Sequence, residues 1–152
     1  MTDDWIELLE ALEEAGARFL VVGAHALAVH GVPRGTQDLD VWVAPDRENS
    51  TRVWRALVGF GAPVDALGVV EADLRRPNMV IQLGLPPNRI DVLTSISGVE
   101  HFDVAWTDRV EHVVRGRLVP FLGRATLIAN KRASGRRKDL SDLEALGELP
   151  PS

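Results

Sequence analysis

The chain of 152 residues contains no cysteine. This absence excludes a disulfide framework, a thiolate metal site and a cysteine nucleophile, and it leaves oxygen and imidazole as ligands for any metal, which favours hard cations. The chain also lacks an apolar run near the roughly 18 residues that a membrane-spanning helix needs. Its N-terminus is acidic and does not show the basic and then apolar pattern of a signal peptide. We therefore expect a cytoplasmic protein that does not contact a membrane.

Apolar residues make up 45% of the chain and charged residues 26%, which is the balance of an ordinary globular protein. That balance excludes wholesale disorder. The length suits one domain, and no repeat, low-complexity tract or long linker divides the chain. We expect a single domain over residues 1–152, with C-terminal helices at 125–147.

Basic residues are concentrated in one segment. The net charge is −5, but residues 117–138 hold seven of the 17 basic residues and none of the 22 acidic ones. One interpretation is a segment that binds anions, and the other is a solvated helix face, the usual explanation of a short charge run. A polynucleotide-binding protein would depend on this segment alone, because the rest of the chain is strongly acidic.

Hydrophobic periodicity predicts strands interleaved with helices. The first helix follows Thr2, a plausible N-cap, and a short apolar run then predicts a buried strand that ends at Gly23. This order predicts an α/β or α+β fold, a mixed β-sheet flanked by helices, without specifying the strand order. We expect strands at 19–22, 38–43, 79–83, 89–93, 110–114 and 118–122, and helices at 3–15, 24–30, 46–60, 98–109, 125–134 and 140–146.

Two acids lie two residues apart in a predicted strand. Side chains alternate between the faces of a strand, so Asp38 and Asp40 project from one face while their apolar neighbours enter the core. Asp91 has apolar residues on both sides in a second strand. Three carboxylates on neighbouring strands would form a site for two divalent cations. The alternative is that these acids are the wet face of an ordinary edge strand.

The turn before these acids has the features of a phosphate-binding turn. Gly23 stands where a strand becomes a helix, and the N–H groups of the first helical turn point towards whatever lies above it. Arg34 follows the same helix and adds a positive charge. Backbone donors, acids and a basic side chain are the components of phosphoryl-type transfer from a nucleoside triphosphate.

Three groups of residues follow one another in a specific order along the chain. They are Val21 to Ala26 with Arg34, Thr36 and Asp38 to Val41; Asn88 to Thr94; and Ile128 to Ala133 followed by Lys138 to Leu143. In this order they resemble motifs of the polymerase-β-like nucleotidyltransferase superfamily, and more narrowly the minimal nucleotidyltransferases related to AbiEii-type toxins. The matches span residues 19–146, nearly the whole chain.

The resemblance implies an ATP- or other NTP-dependent enzyme that transfers a nucleoside monophosphate to a hydroxyl of tRNA or of a protein. It implies two Mg²⁺ ions, both bound by Asp38 and Asp40, with Asp91 completing the metal that activates the acceptor and taking the acceptor's proton. It also implies a set of nucleotide-binding residues, namely Gly23, Ala24, Arg34, Thr36 and Lys131.

The chain departs from the family pattern at one position. Gly23-Ala24 stands where the family usually has Gly-Gly or Gly-Ser, so the backbone N–H remains but a serine hydroxyl is absent. This departure supports a second hypothesis, a catalytically weak or silent protein-binding module of the same fold, such as an antitoxin or regulator. A toxin-antitoxin role would give the chain a cognate partner protein.

Two further interpretations concern residues near these motifs. Trp42 shares the strand face of the acids, so we expect it to be the one tryptophan that could contact a nucleobase or an acceptor. Asp139 and Asp142 are explained as an N-cap and a first-turn acid of the last helix.

Overall fold

Six strands form one mixed β-sheet, as the sequence predicts. The structure is a computed structural model that describes residues 1–148, so residues 149–152 of the predicted domain lie outside the described residues. The strands are β1 Phe19–Val22, β2 Asp38–Val43, β3 Val80–Leu83, β4 Arg89–Leu93, β5 Val110–Val114 and β6 Arg117–Phe121.

Helices cover both faces of this sheet. They are α1 Asp3–Glu14, α2 Gly23–Val29, α3 Arg47–Phe60, α4 Val64–Leu67, α5 Phe102–Thr107, α6 Arg124–Ser134 and α7 Arg137–Ala145, with a 3₁₀-helix at Glu71–Arg75. Among residues 1–148, none of the helices has the length and apolar character needed to cross a membrane.

The strand order is β3-β4-β2-β1-β6-β5. The two predicted hairpins, β3 with β4 and β5 with β6, are confirmed as antiparallel pairs. β2 pairs with β1 in antiparallel and with β4 in parallel orientation, and β1 pairs with β6 in parallel orientation. The central position of β2 therefore places its acids beside β4 on one edge and beside the end of β1 on the other.

The alternation of side chains along β2 divides the core into two layers. Leu39 and Val41 enter the layer that includes α1 and α3, whereas Trp42 enters the layer that includes α2, α5 and α6. Asp38 and Asp40 share the parity of Trp42, so they lie on the same face of the sheet as α2.

Helix boundaries follow from local hydrogen bonds. Thr2 is the predicted N-cap of α1, since its hydroxyl accepts a hydrogen bond from the Trp5 N–H at 3.2 Å. α7 begins at Arg137 and not at residue 140, because Asp139 occupies its third position and accepts a hydrogen bond from the Arg136 N–H at 3.1 Å. The short helix predicted within residues 98–109 is α5.

We expect Leu39→Ala to lower the free energy of unfolding by about 3 kcal/mol, because it leaves a cavity at a fully buried position of β2. The control is Leu118→Ala on β6, where the side chain is exposed and the loss should stay below about 0.5 kcal/mol. Urea unfolding followed by circular dichroism measures both. Equal losses in the two variants would contradict the assignment of Leu39 to the core.

Candidate functional site

The three predicted acids lie on adjacent strands of one sheet face. The register of the parallel pair sets Asp40 opposite Asp91 and Asp38 opposite Arg89. Paired residues on neighbouring strands are about 5 Å apart, so the carboxylates of Asp40 and Asp91 meet side by side. The predicted convergence of the acids on one face is confirmed.

Arg89 is the cation that contacts this row of acids. Its Nε and Nη2 donate to the two carboxylate oxygens of Asp91 at 3.2 and 2.9 Å. The same Nε lies 3.6 Å from Oδ1 of Asp38. Sequence analysis did not single out Arg89, although its position two residues before Asp91 in one strand places both side chains on the same face.

Of the three predicted acids, Asp40 is the one that has no salt-bridge partner among residues 1–148. Burial, the charges of Asp91 and Asp38 and a hydrogen bond with Asp91 together raise the pKa of its carboxyl from the ordinary 3.8 to about 6, against a smaller opposite effect of Arg89. Asp40 therefore concentrates the uncompensated negative charge of the site.

Gly23 lies against Asp40. The residue has a φ of +69°, and a Cβ at this position would lie 2.4 Å from Oδ2 of Asp40. Any other residue would have to adopt an unfavourable backbone conformation and would collide with the carboxylate. The glycine thus brings the start of α2 next to the acids, and the neighbouring Ala24 lines the same cavity.

A cavity of about 760 Å³ is lined by all of the predicted site residues except Asp91. Asp91 does not line the cavity and lies beside Asp40, 7% exposed. Thr36 uses its hydroxyl locally, donating to the carbonyl of Asp38 and accepting from its N–H, both at 3.1 Å. The predicted residues that line the cavity are Gly23, Ala24, Arg34, Thr36, Asp38, Asp40 and Lys131.

Lys131 is engaged by two buried carboxylates. The side chain is 6% exposed, and its Nζ lies 3.2 Å from Asp139 and 3.1 Å from Asp142. Arg34 contacts Asp142 at 2.6 Å, and Arg136 contacts Asp139 at 2.8 Å. The expectation that Lys131 turns its charge towards phosphates therefore needs correction, because the ammonium already compensates these two acids.

Asp139 is not the predicted N-cap of the last helix, because Arg136 is the N-cap of α7 and Asp139 stands at its third position. Burial acts to raise its pKa, but hydrogen bonds from Arg136 and Lys131 outweigh burial and hold the pKa of Asp139 below its ordinary value. Asp139 and Asp142 share the inward face of α7 with Leu143, a placement that amphipathic patterning does not predict because it puts charged residues on the outer face.

Most of the basic segment forms ion pairs within the chain. Arg117 contacts Glu10 and Glu13, while Arg124 and Arg132 contact Glu148. Together with Lys131 and Arg136, these are five of the seven basic residues at 117–138. Among residues 1–148, Arg137 and Lys138 form no ion pair, and Lys138 lines the cavity. The segment therefore offers little free charge to a polynucleotide.

Trp42 does not have the predicted position. Its side chain is 1% exposed and packs edge-on against Phe102, with ring centroids 5.0 Å apart. Parity along β2 was right, but helices cover this part of the sheet face, so the indole cannot reach a nucleobase.

The three acids have the donor atoms that a divalent cation prefers, but their side chains do not stand at the spacing of a metal site. Within residues 1–148, no group of three or more His, Asp or Glu side chains stands at the spacing of a metal site, so the predicted three-acid metal shell is not assembled. The donor set is nevertheless made of carboxylate oxygens, which Mg²⁺ prefers, and Asp40 carries charge that a cation would relieve. Arg89 donates to both oxygens of Asp91, so a cation on that carboxylate would have to displace the guanidinium.

We expect Asp40→Asn to stabilise the metal-free protein at neutral pH. Because the folded-state pKa of about 6 exceeds the ordinary 3.8, ionisation of Asp40 costs stability as the pH rises from about 4 to about 6. The variant should match wild type near pH 4 and exceed it by about 1–3 kcal/mol at pH 7.5. Chemical unfolding in EDTA at both pH values measures the difference. A less stable variant at pH 7.5 would contradict this account.

We expect Lys131→Met to lower the free energy of unfolding by about 3 kcal/mol, because two buried carboxylates lose a shared counter-charge. Arg132→Met is the matched control on the same helix, since its pair with Glu148 is exposed and should contribute less than about 1 kcal/mol. Thermal and chemical unfolding of both variants give the comparison. Similar losses would mean that the Lys131 pairs are not structural.

Comparison with known proteins adds information about the fold. No protein-family model matches the chain, and no curated protein matches it by sequence. A crystal structure of an assigned nucleotidyltransferase from Thermotoga maritima is similar over 94% of this chain and 88% of that chain, with a TM-score of 0.58 and 14% identity. The solution structure of the antibiotic-resistance factor ANT(2'')-Ia is similar over 94% of this chain and 80% of that chain, with a TM-score of 0.56 and 14% identity. At this identity the likeness shows a shared fold, a mixed sheet with flanking helices.

Proposed function

We propose that this chain is a Mg²⁺-dependent nucleotidyltransferase that transfers a nucleoside monophosphate from an NTP to an acceptor hydroxyl. The observation that supports this most is the close approach of Gly23 to Asp40, which joins a helix start to a row of three acids beside one cavity. The first N–H groups of a helix have no partner within the helix, so they are available to phosphate oxygens. A fold shared with an assigned nucleotidyltransferase agrees with this proposal.

In the proposed reaction, Asp38, Asp40 and Asp91 are the residues that would hold Mg²⁺, and the ion would neutralise phosphate charge and activate the acceptor hydroxyl. The acceptor oxygen bonds to the α-phosphorus, and the bond from that phosphorus to the β-bridging oxygen breaks. The electron pair leaves with pyrophosphate, and the acceptor's proton passes to a carboxylate oxygen of Asp91. The N–H groups of Gly23 and Ala24 and the ammonium of Lys138 hold the triphosphate, while Arg34 and Lys131 shape the cavity wall.

Between the two acceptor classes we favour a protein hydroxyl over tRNA. Electrostatic binding of nucleic acid needs free basic side chains, and five of the seven basic residues at 117–138 compensate acids of the same chain. A toxin-antitoxin pair would supply such a protein partner.

A catalytically silent binding module of the same fold is the second candidate. Its support is specific: Asp91 is held by Arg89, and Lys131 by Asp139 and Asp142, so two groups of the proposed machinery are already engaged.

The test is incubation of the chain with labelled ATP, GTP, CTP and UTP, with and without Mg²⁺, in the presence of bulk tRNA and of cell proteins. We expect label on protein with Mg²⁺ only, and a loss of at least about 100-fold for Asp40→Asn and Asp91→Asn, because each removes a metal-binding carboxylate. The control is Asp65→Asn, an exposed acid on α4, which should keep full transfer.

Three other outcomes are informative. Label on tRNA would correct the acceptor class. No label with any nucleotide would favour the silent module. Transfer that survives both substitutions would show that these acids do not form the site.

A further inference from the structure

Arg89 occupies the position of a cation in the acid row. Its guanidinium engages both oxygens of Asp91 and approaches Asp38, while the third acid, Asp40, lies directly opposite Asp91. Among residues 1–148, no other basic side chain forms an ion pair with any of these three acids. Within the described residues, one side chain therefore provides the ion pairs that compensate the negative charge of these three acids.

A divalent cation and this guanidinium cannot share Asp91 without conflict. Mg²⁺ binds carboxylate oxygens at about 2.1 Å, so an ion on Asp91 would stand beside the donor groups of Arg89. Two positive charges at such a distance repel each other strongly in a partly buried site. Either the ion or the guanidinium must leave the Asp91 oxygens.

The side chain of Arg89 can leave while its backbone stays. The Trp5 indole N–H donates to the Arg89 carbonyl at 3.1 Å, and the strand register with Asp38 holds the same residue in β4. The side chain itself is 32% exposed, so water is available to the guanidinium in another rotamer. A doubly charged ion brings more positive charge to the three acids than the guanidinium that it displaces, which makes the exchange feasible.

We propose that Arg89 is a resident counter-ion that competes with the divalent metal for Asp91 and so holds the metal-free protein in a silent arrangement. This inference rests on the proposed function, because it assumes that the acid row is a metal site. It also reconciles the two candidate functions: the engaged arrangement is the metal-free state of the enzyme. Removal of the guanidinium should then strengthen metal binding, which is the opposite of what loss of a supporting residue would do.

The test is Mn²⁺ binding to the full chain without nucleotide, measured at pH 7.5 by electron paramagnetic resonance of free Mn²⁺. We expect Arg89→Gln to bind Mn²⁺ on the order of tenfold more tightly than wild type, because one competing positive charge is removed. Arg89→Lys keeps the charge but loses the two-pronged geometry, so it should bind a few-fold more tightly. Arg117→Gln removes an arginine that pairs with Glu10 and Glu13 away from the acid row, and it should match wild type.

Melting in EDTA and in Mn²⁺ shows whether each variant folds. Arg89→Gln should melt lower than wild type in EDTA and gain more from Mn²⁺; if it does not fold, Arg89→Lys carries the test. Unchanged or weaker Mn²⁺ binding by the folded variants, with metal-dependent transfer intact in wild type, would overturn the inference and leave the proposed function standing. Absence of Mn²⁺ binding in wild type, together with absence of nucleotide transfer, would overturn both.

Discussion

Three carboxylates cannot share one face of two adjacent strands without compensating positive charge, and the site depends on how the chain meets this requirement. Parallel pairing of β2 with β4 brings Asp40 opposite Asp91 and Asp38 opposite Arg89. Arg89 contacts Asp91 and Asp38, and burial among like charges raises the pKa of the third acid, Asp40. Uncompensated charge beside a cavity would favour a bound cation, and the proposed chemistry depends on such a cation.

A second pair of acids, beside the same cavity, meets this requirement with more basic partners. Here Asp139 and Asp142 of α7 are buried, and Lys131 of α6 lies between them. Arg34, from the loop before β2, adds a contact to Asp142 and so ties that loop to the last helix. Removing one partner of a buried pair costs far more than the pair contributes. We therefore regard this network as the structural support of the cavity, which leaves phosphate binding to backbone N–H groups and to Lys138.

Patterns within a few residues predicted more of this protein than could be inferred about contacts between residues distant in sequence. The period-2 pattern of β2 correctly put Asp38 and Asp40 on one face, and the strand, glycine and helix order correctly brought Gly23 to the site. The same alternation led to a wrong prediction for Trp42. It determines which face of the sheet a side chain takes, but it does not determine which helices cover that face. The two interpretations of the basic segment could not be separated from the sequence, because its acidic partners, such as Glu13 and Glu148, lie outside the segment.

The sequence by itself determined the fold class, the candidate acids and the described elements other than α4 and the 3₁₀-helix, since periodicity, capping and strand parity act over a few residues. Only the tertiary structure decided the strand order, and with it the contact of Asp40 with Asp91 and the position of Arg89 between two acids. It also decided that Lys131 compensates Asp139 and Asp142. The physical reason is that the energy of a charge depends on distances to other charges and on burial, and both quantities exist only after the strands and helices have packed.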